Sequence, residues 1–195
     1  MEGSRKNEAI PMIRMAQRED VPAMLEIYRP YILETAYTFE YSVPSLAEFT
    51  HRFDTIHARF PWLVWEEDGE ILGYAYADAA FVRAAYQWDA DLSIYLKPEA
   101  KGQGGGRRLY EILEDLLRAQ GYFLIYGIIT SCNKGSCAFH EAMGYRESAF
   151  FPACGFKFGQ WYGTYWYEKR LQDGDPTSPP RGWRELEKLP ESWNV

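Results

Sequence analysis

The sequence predicts one mixed α/β (α+β) domain, with about seven strands interleaved with helices, and three observations predict it. Asp91-Leu92-Ser93-Ile94-Tyr95-Leu96 alternates polar and apolar residues, carries β-formers and runs into the glycine-rich stretch Lys101-Gly102-Gln103-Gly104-Gly105-Gly106. From Arg107 to Gln120, Leu109, Ile112, Leu113, Leu116 and Leu117 recur at helical spacing. Two β-rich runs flank Asp68-Gly69, the pair that a tight hairpin turn favours. A chain of 195 residues that is 47% hydrophobic fills one core rather than two and is not disordered in its body.

The elements follow in order. Met12 to Ala16 reads as a first strand, after a polar N-terminal extension of residues 1–11. Arg18-Glu19-Asp20 opens a helix that buries Val21, Met24, Leu25, Ile27, Tyr28 and Ile32. Residues 35–44 form a loop rich in Tyr and Phe. Ser45 is the N-cap of a second helix reaching Ala58, with Glu48 at capping-box spacing. Trp62–Glu66 and Glu70–Ala77 form the hairpin, and residues 79–87 a loop. The strand at Asp91, the glycine loop and the long helix come next. A strand over Phe123–Ile129, a helix opened by Asn133, and strands over Arg146–Phe151 and Tyr162–Leu171 complete a domain of residues 12–171. Asp173 to Pro180 is a Pro-rich break within a tail of residues 172–195. The tail's Trp183, Leu186, Leu189 and Trp193 are expected to dock on the domain or on a second subunit.

Composition removes several function classes. A net charge of −7 argues against nucleic acid and against an anionic membrane surface. No apolar run is long enough to span a bilayer, and Met1 to Glu8 lacks a signal-peptide core, so a cytoplasmic location is expected. Cys132, Cys137 and Cys154 follow no metal spacing and are expected to be free thiols. With histidine only at positions 51, 57 and 140, no metal site is expected.

Four glycines in six positions let the backbone approach a ligand closely, and the helix behind them aims unpaired N–H groups and its positive dipole end at the loop. This is a phosphate or pyrophosphate seat. A dinucleotide site requires an acidic residue about 20 positions on, after a second strand. Here that strand ends in Thr130-Ser131. A P-loop requires Gly-Lys-Ser/Thr where this chain has Arg107-Arg108. Neither NAD nor a nucleoside triphosphate is favoured.

Lys101-x-x-Gly104-x-Gly106 resembles the pyrophosphate loop of the GNAT acetyltransferases, with lysine in the first position supplying a point charge rather than arginine's fork. Asn133 to Tyr145 resembles their second signature, a helix opened by asparagine and closed by Gly-Tyr, which agrees with Asn133 as N-cap and Gly144 as C′ residue. Phe60-Pro61-Trp62-Leu63-Val64, Arg83-x-x-Tyr86-x-Trp88, His140-Glu141-Ala142-x-Gly144-Tyr145 and Gly155-x-Lys157-x-Gly159-x-Trp161 are similar to the phosphinothricin and methionine sulfone/sulfoximine N-acetyltransferases. The resemblance runs from about Met12 to Leu171. It implies a GNAT fold with a mixed, mostly antiparallel sheet flanked by helices, acetyl-CoA as co-substrate, a small amino-acid-like amine as acceptor, and a homodimer.

The chemistry follows from that implication. A protonated α-amine must lose its proton before it attacks a thioester. Asp91, at the position where the resembling enzymes carry glutamate, is the expected base, one methylene shorter and therefore suited to a water relay. His140 stands where related enzymes protonate the departing thiolate, and it shares a helix face with Ser136. Backbone N–H groups around Ile94, Tyr95 and Leu96 are expected to polarise the carbonyl and to pair with pantetheine like an added strand. Lys101, Gly102, Gly104, Gly105, Gly106 and Arg107 are expected to hold the pyrophosphate, with Arg108 adding outer charge. Asn133 and Ser136 are expected along the pantetheine arm. Arg83 is the expected carboxylate partner beside Tyr86, with Phe39, Tyr37 and Tyr95 as pocket walls. Gly163 replaces an aspartate common in the family, and Lys157 matches a family lysine of underived role. A nucleophilic cysteine is disfavoured. Acetylation of another amine, such as an antibiotic, polyamine or protein N-terminus, and a non-catalytic acetyl-CoA sensor are the alternatives. Asp91, Asn133 and His140 together argue against the sensor.

Overall fold

The structure is a computed structural model that describes residues 12–186. The N-terminal extension, Leu189 and Trp193 lie outside the described residues. Seven strands make one sheet in the order β1-β2-β3-β4-β5-β7-β6. They are β1 (Met12–Met15), β2 (Trp62–Glu67), β3 (Glu70–Ala79), β4 (Asp89–Leu96), β5 (Leu124–Thr130), β6 (Arg146–Lys157) and β7 (Gln160–Arg170). The helices are α1 (Val21–Glu34), α2 (Leu46–His57), α3 (Gly105–Gln120) and α4 (Lys134–Ala142). All neighbouring strands are antiparallel except β4 and β5, which run parallel because α3 carries the chain back across the sheet.

Local chemistry explains the element ends. Ser45 Oγ accepts the Glu48 N–H at the start of α2. Asp68 and Gly69 both take positive φ, 49° and 81°, the turn that suits a two-residue hairpin. α3 opens from Gly104 at φ +89° and closes on Gly121 at +97°. On one sheet face α3 buries Leu109, Leu113, Leu116 and Leu117 against Leu63, Trp65 and Ala75. On the other, α1 and α2 bury Met24, Ile32, Phe49 and Phe53 against Trp62, Val64 and Tyr74. Shaving one such core leucine to alanine costs about 2–5 kcal/mol.

The last two strands extend further than the sequence reading places them. Residues 152–157 continue β6, and Gln160 starts β7, so the motif from Gly155 to Trp161 is a hairpin tip turning at Phe158 and Gly159. Pro152 hides this extension in the sequence. The register shifts between Phe151 and Gly155, a bulge that admits a residue unable to donate to the ladder.

This hairpin fixes the aromatic loop after α1. The buried Lys157 ammonium donates to the carbonyls of Ile32 and Thr38, both at 2.8 Å. Phe39 lies on Gly155, where an added Cβ would stand 2.2 Å from its ring. At Gly163 the Phe150 ring takes the space of a side chain, 2.6 Å from where a Cβ would be. The tail to Leu186 docks on its own domain. Trp183 donates its indole N–H to His57 O at 2.8 Å and stacks on that ring, and Trp88 donates to Ser178 O at 2.9 Å.

Replacing Lys157 by Met removes both donors and leaves two carbonyls unsatisfied. Lys157→Met is expected to lower unfolding free energy by about 2–4 kcal/mol in urea titration.

Candidate active site

Pairing between β4 and β5 lasts only from Asp89–Leu124 to Asp91–Tyr126. Beyond it β4 stays with β3 as far as Leu96, and β5 stays with β7 as far as Thr130, so a wedge opens between them. Strand alternation turns the backbone groups of Leu92, Ile94 and Leu96 into this wedge, because Lys97 N–H already bonds Leu72 O on the β3 side. Two tyrosines occupy its ends. Tyr110 Oη lies 3.4 Å from Leu92 O, and Tyr31 Oη donates to Leu96 O at 2.7 Å and accepts its N–H at 3.2 Å. Ile94 lies between them.

Two adjoining cavities occupy the wedge and its mouth. The larger, about 470 Å³, is bounded by Lys101, Gly102, Gly104, Gly106 and Arg107 at the start of α3, by Asn133, Gly135, Ser136 and Phe139 of the α4 start, and by Ile94 and Leu96. The narrower, about 70 Å³, lies deeper, among Leu92, Ser93, Ile94, Tyr95, Tyr110, Ser136 and His140. Tyr31, Tyr37, Ile94, Asn133 and Ser136 border both.

The larger cavity fits a pyrophosphate followed by an extended amide arm. Gly102 and Gly104 take φ of +80° and +89°, and a Cβ at either would meet nothing within 4 Å, so these glycines serve conformation and leave the seat open. The first intrahelical bond runs from Arg108 N to Gly104 O, which leaves the preceding N–H groups of α3 for a ligand. Leu96 offers an adjacent donor and acceptor, the pair an amide requires, and Tyr31 Oη fills both. Gly105 does not face the cavity. It is buried, and a Cβ there would stand 2.2 Å from the Trp65 ring, so the absence of a side chain is a packing requirement, while its N–H belongs to the first turn of α3. Lys101 is exposed with its ammonium 5.2 Å over the Tyr31 ring.

Asn133 caps α4 by accepting the Ser136 N–H on its side-chain oxygen at 3.2 Å. His140, one helical turn beyond Ser136, is buried against Gly127, where a Cβ would stand 2.5 Å from Nε2. Its Nδ1 lies 2.8 Å from Ser136 O, which only accepts, so Nδ1 carries the proton. Nε2 then presents a lone pair to the Tyr110 hydroxyl at 3.2 Å. Burial lowers the histidine pKa and raises that of Tyr110 well above its ordinary value, so a neutral imidazole faces an intact phenol.

Asp91 is the last β4 residue paired with β5 and stands at the apex of the wedge, two positions before Ser93, outside the residues that line the cavities. It is on the opposite sheet face from His140. Burial, then the Asp78 charge, pushes its carboxyl up to about 7. Arg83 and Tyr86 lie on the exposed loop before β4 and line neither cavity. Tyr86 stacks on Phe81 at 4.6 Å, and Phe81 contacts Tyr126, the β5 partner of Asp91. Phe39 likewise lines neither cavity, whereas Tyr95 borders the narrow one. Sequence reasoning did not find Tyr31, Gly135, Phe139 or Tyr110. Phe139 was within reach, because it lies three residues from Ser136 on α4.

Comparison with known proteins places this arrangement. The acetyltransferase (GNAT) domain family matches residues 13–166. A phosphinothricin N-acetyltransferase of Alcaligenes faecalis is 35% identical over 171 residues, 86% of each chain. An L-methionine sulfoximine/L-methionine sulfone acetyltransferase of Salmonella typhimurium is 30% identical over 165 residues, 83% of this chain and 95% of the other. The crystal structure of a GNAT superfamily phosphinothricin acetyltransferase of Sinorhizobium meliloti in complex with acetyl-CoA superposes with a TM-score of 0.83 at 34% identity, covering 93% of this chain and 99% of that one.

If backbone groups carry the anion grip, Gly104→Val, which forces a branched residue to φ +89°, is expected to weaken acetyl-CoA binding at least tenfold in calorimetry, and Lys101→Ala less than threefold. The reverse order would show that side chains dominate.

Proposed function

Because this chain belongs to the GNAT acetyltransferase family, we propose that it acetylates the α-amino group of a small amino-acid analogue of the phosphinothricin, methionine sulfone or methionine sulfoximine class. Acetyl-CoA is the acyl donor and supplies an activated thioester. The observation that carries the reading is the wedge, which is bordered by an anion seat, by the β4 edge open at Ile94 and by a buried imidazole–phenol pair, with a carboxyl pushed up to about 7 at its apex.

In this mechanism the α3 N–H groups, aided by Lys101 and Arg107, hold the pyrophosphate, and Asn133 and Ser136 flank the arm. The backbone N–H of Ile94 polarises the thioester carbonyl. Asp91 takes the ammonium proton. Its place outside the cavity lining favours transfer through one water over direct contact. His140 and Tyr110 relay a proton toward the departing thiolate, a role that suits a neutral imidazole better than that of a standing imidazolium donor. Arg83 binds the acceptor carboxylate from the loop pinned beside Tyr126, with Tyr86 and Tyr95 next to the amino acid and Phe39 setting the loop above it. The enzyme works as a cytoplasmic homodimer. Phe150, Phe151, Phe156 and Trp161 are 43–62% exposed on the β6–β7 hairpin, an aromatic surface of the kind a second copy covers. A single mass equal to one chain in light scattering would refute the dimer.

Thiol release from acetyl-CoA is expected with methionine sulfone, methionine sulfoximine and phosphinothricin, and not with polyamines. Release with polyamines alone would overturn this acceptor class, and the absence of release with any amine would favour a sensor. Asp91→Asn is expected to lower kcat about 10²–10⁴-fold with acetyl-CoA affinity unchanged. Only the ionised carboxyl accepts a proton, so wild-type kcat/KM should rise with pH through about 7, and the variant should lack that limb. An Asp91→Asn enzyme with wild-type turnover would remove Asp91 from the mechanism.

A further inference from the structure

The sheet face that carries Asp91 holds a second carboxylate to which the mechanism above gives no part. In the β3–β4 ladder Asp78 stands directly across from Asp91. Residues so opposed on antiparallel strands have Cβ atoms within about 4.5–5.5 Å, and like charges at that separation repel. Both side chains are half-buried, so water screens them poorly. The groups around Asp91 offer no relief. They are Tyr76 and Asp78 on β3, Asp89 and Ser93 on β4, Tyr126 on β5 and Tyr110 on α3, all phenols, a hydroxyl and acids. Among the described residues no salt bridge reaches Asp78 or Asp91.

The two acids differ in one respect. Asp78 Oδ1 accepts the Ala79 N–H at 2.7 Å, a bond that favours its ionised form. No such bond is seen at Asp91. When two neighbouring carboxyls compete for ionisation, the hydrogen-bonded one keeps the charge and the other keeps the proton longer. The asymmetry therefore assigns the fixed charge to Asp78 and the mobile proton to Asp91.

We propose that Asp78 is a positioning residue for acetyl transfer: its carboxylate, tethered to the Ala79 amide and set across the ladder from Asp91, makes Asp91 a base strong enough to accept a proton from the acceptor amine. The inference rests on Asp91 being that base. Before the nitrogen–carbon bond forms, one ammonium proton passes to a water and from it to an Asp91 oxygen. As the carbon–sulfur bond then breaks, the departing thiolate takes up a proton through the Tyr110–His140 relay, which balances the second proton that the nitrogen loses. Asp91 then returns the proton to solvent, and Asp78 makes and breaks no bond. An isolated aspartate, with its pKa near 4, would be a feeble acceptor for this proton.

The test is Asp78→Asn, which retains an oxygen for the Ala79 N–H and removes only the charge. Two readouts are taken on the intact protein: the Asp91 carboxyl midpoint by ¹³C NMR, and the pH profile of kcat/KM with the best amine of the panel. Both the midpoint and the rising limb are expected to move down by about one pH unit, and Asp78→Glu to bring them back. Asp78→Ser, which also keeps an oxygen acceptor, gives the same reading should the amide variant fold poorly. An Asp91 midpoint unchanged in these variants overturns the proposal, whatever happens to activity. A midpoint that moves while the limb stays would show the coupling but remove Asp91 as the base, which overturns the functional reading and Asp78's role with it.

Discussion

Everything in this site depends on the parting of β4 from β5. Three paired positions hold the strands together, and beyond Asp91 each is committed to its other neighbour. A parallel pair with unpaired edges is costly inside a protein, because buried backbone groups need partners. The fold meets that need with phenols rather than with a strand. Tyr31 serves both backbone groups of Leu96, and the Tyr110 hydroxyl stands beside Leu92 O. The gap opens between the two faces of the sheet, with Asp91 on one side and His140 on the other.

The glycine loop divides its labour. Gly102 and Gly104 bend the backbone into the left-handed region, whereas Gly105 lets α3 lie against the Trp65 ring. The proposed anion seat and the core are therefore coupled: the helix whose free N–H groups border the larger cavity is held by the same packing that buries Leu109 and Leu113. A second coupling runs through Lys157, whose ammonium joins the end of α1 and the loop after it to the β6–β7 hairpin, and from these Tyr31 and Tyr37 border the cavities.

Much of this was legible in order along the chain. The hairpin at Asp68-Gly69, the caps at Ser45 and Asn133 and the α3 stripe are local signals, each written within a few residues. The glycine loop proposed as the cofactor seat was legible for the same reason, because loop and helix start are contiguous. The end of β6 was not, since Pro152 reads as a stop unless a bulge is known to absorb it. The packing role of Gly105 was not legible either, because nothing in its neighbours announces Trp65, 40 positions away in the chain.

The sequence by itself determined the element order, the glycine loop before α3 and the residue types able to move a proton. Spacing and propensity act over short stretches, and these features are short. Only the tertiary structure decided which tyrosines guard the wedge, that His140 is neutral with its proton on Nδ1, and that Asp78 faces Asp91. Those are matters of register and packing between segments tens of residues apart, where a shift of a single position would turn Asp78 to the other face of the sheet.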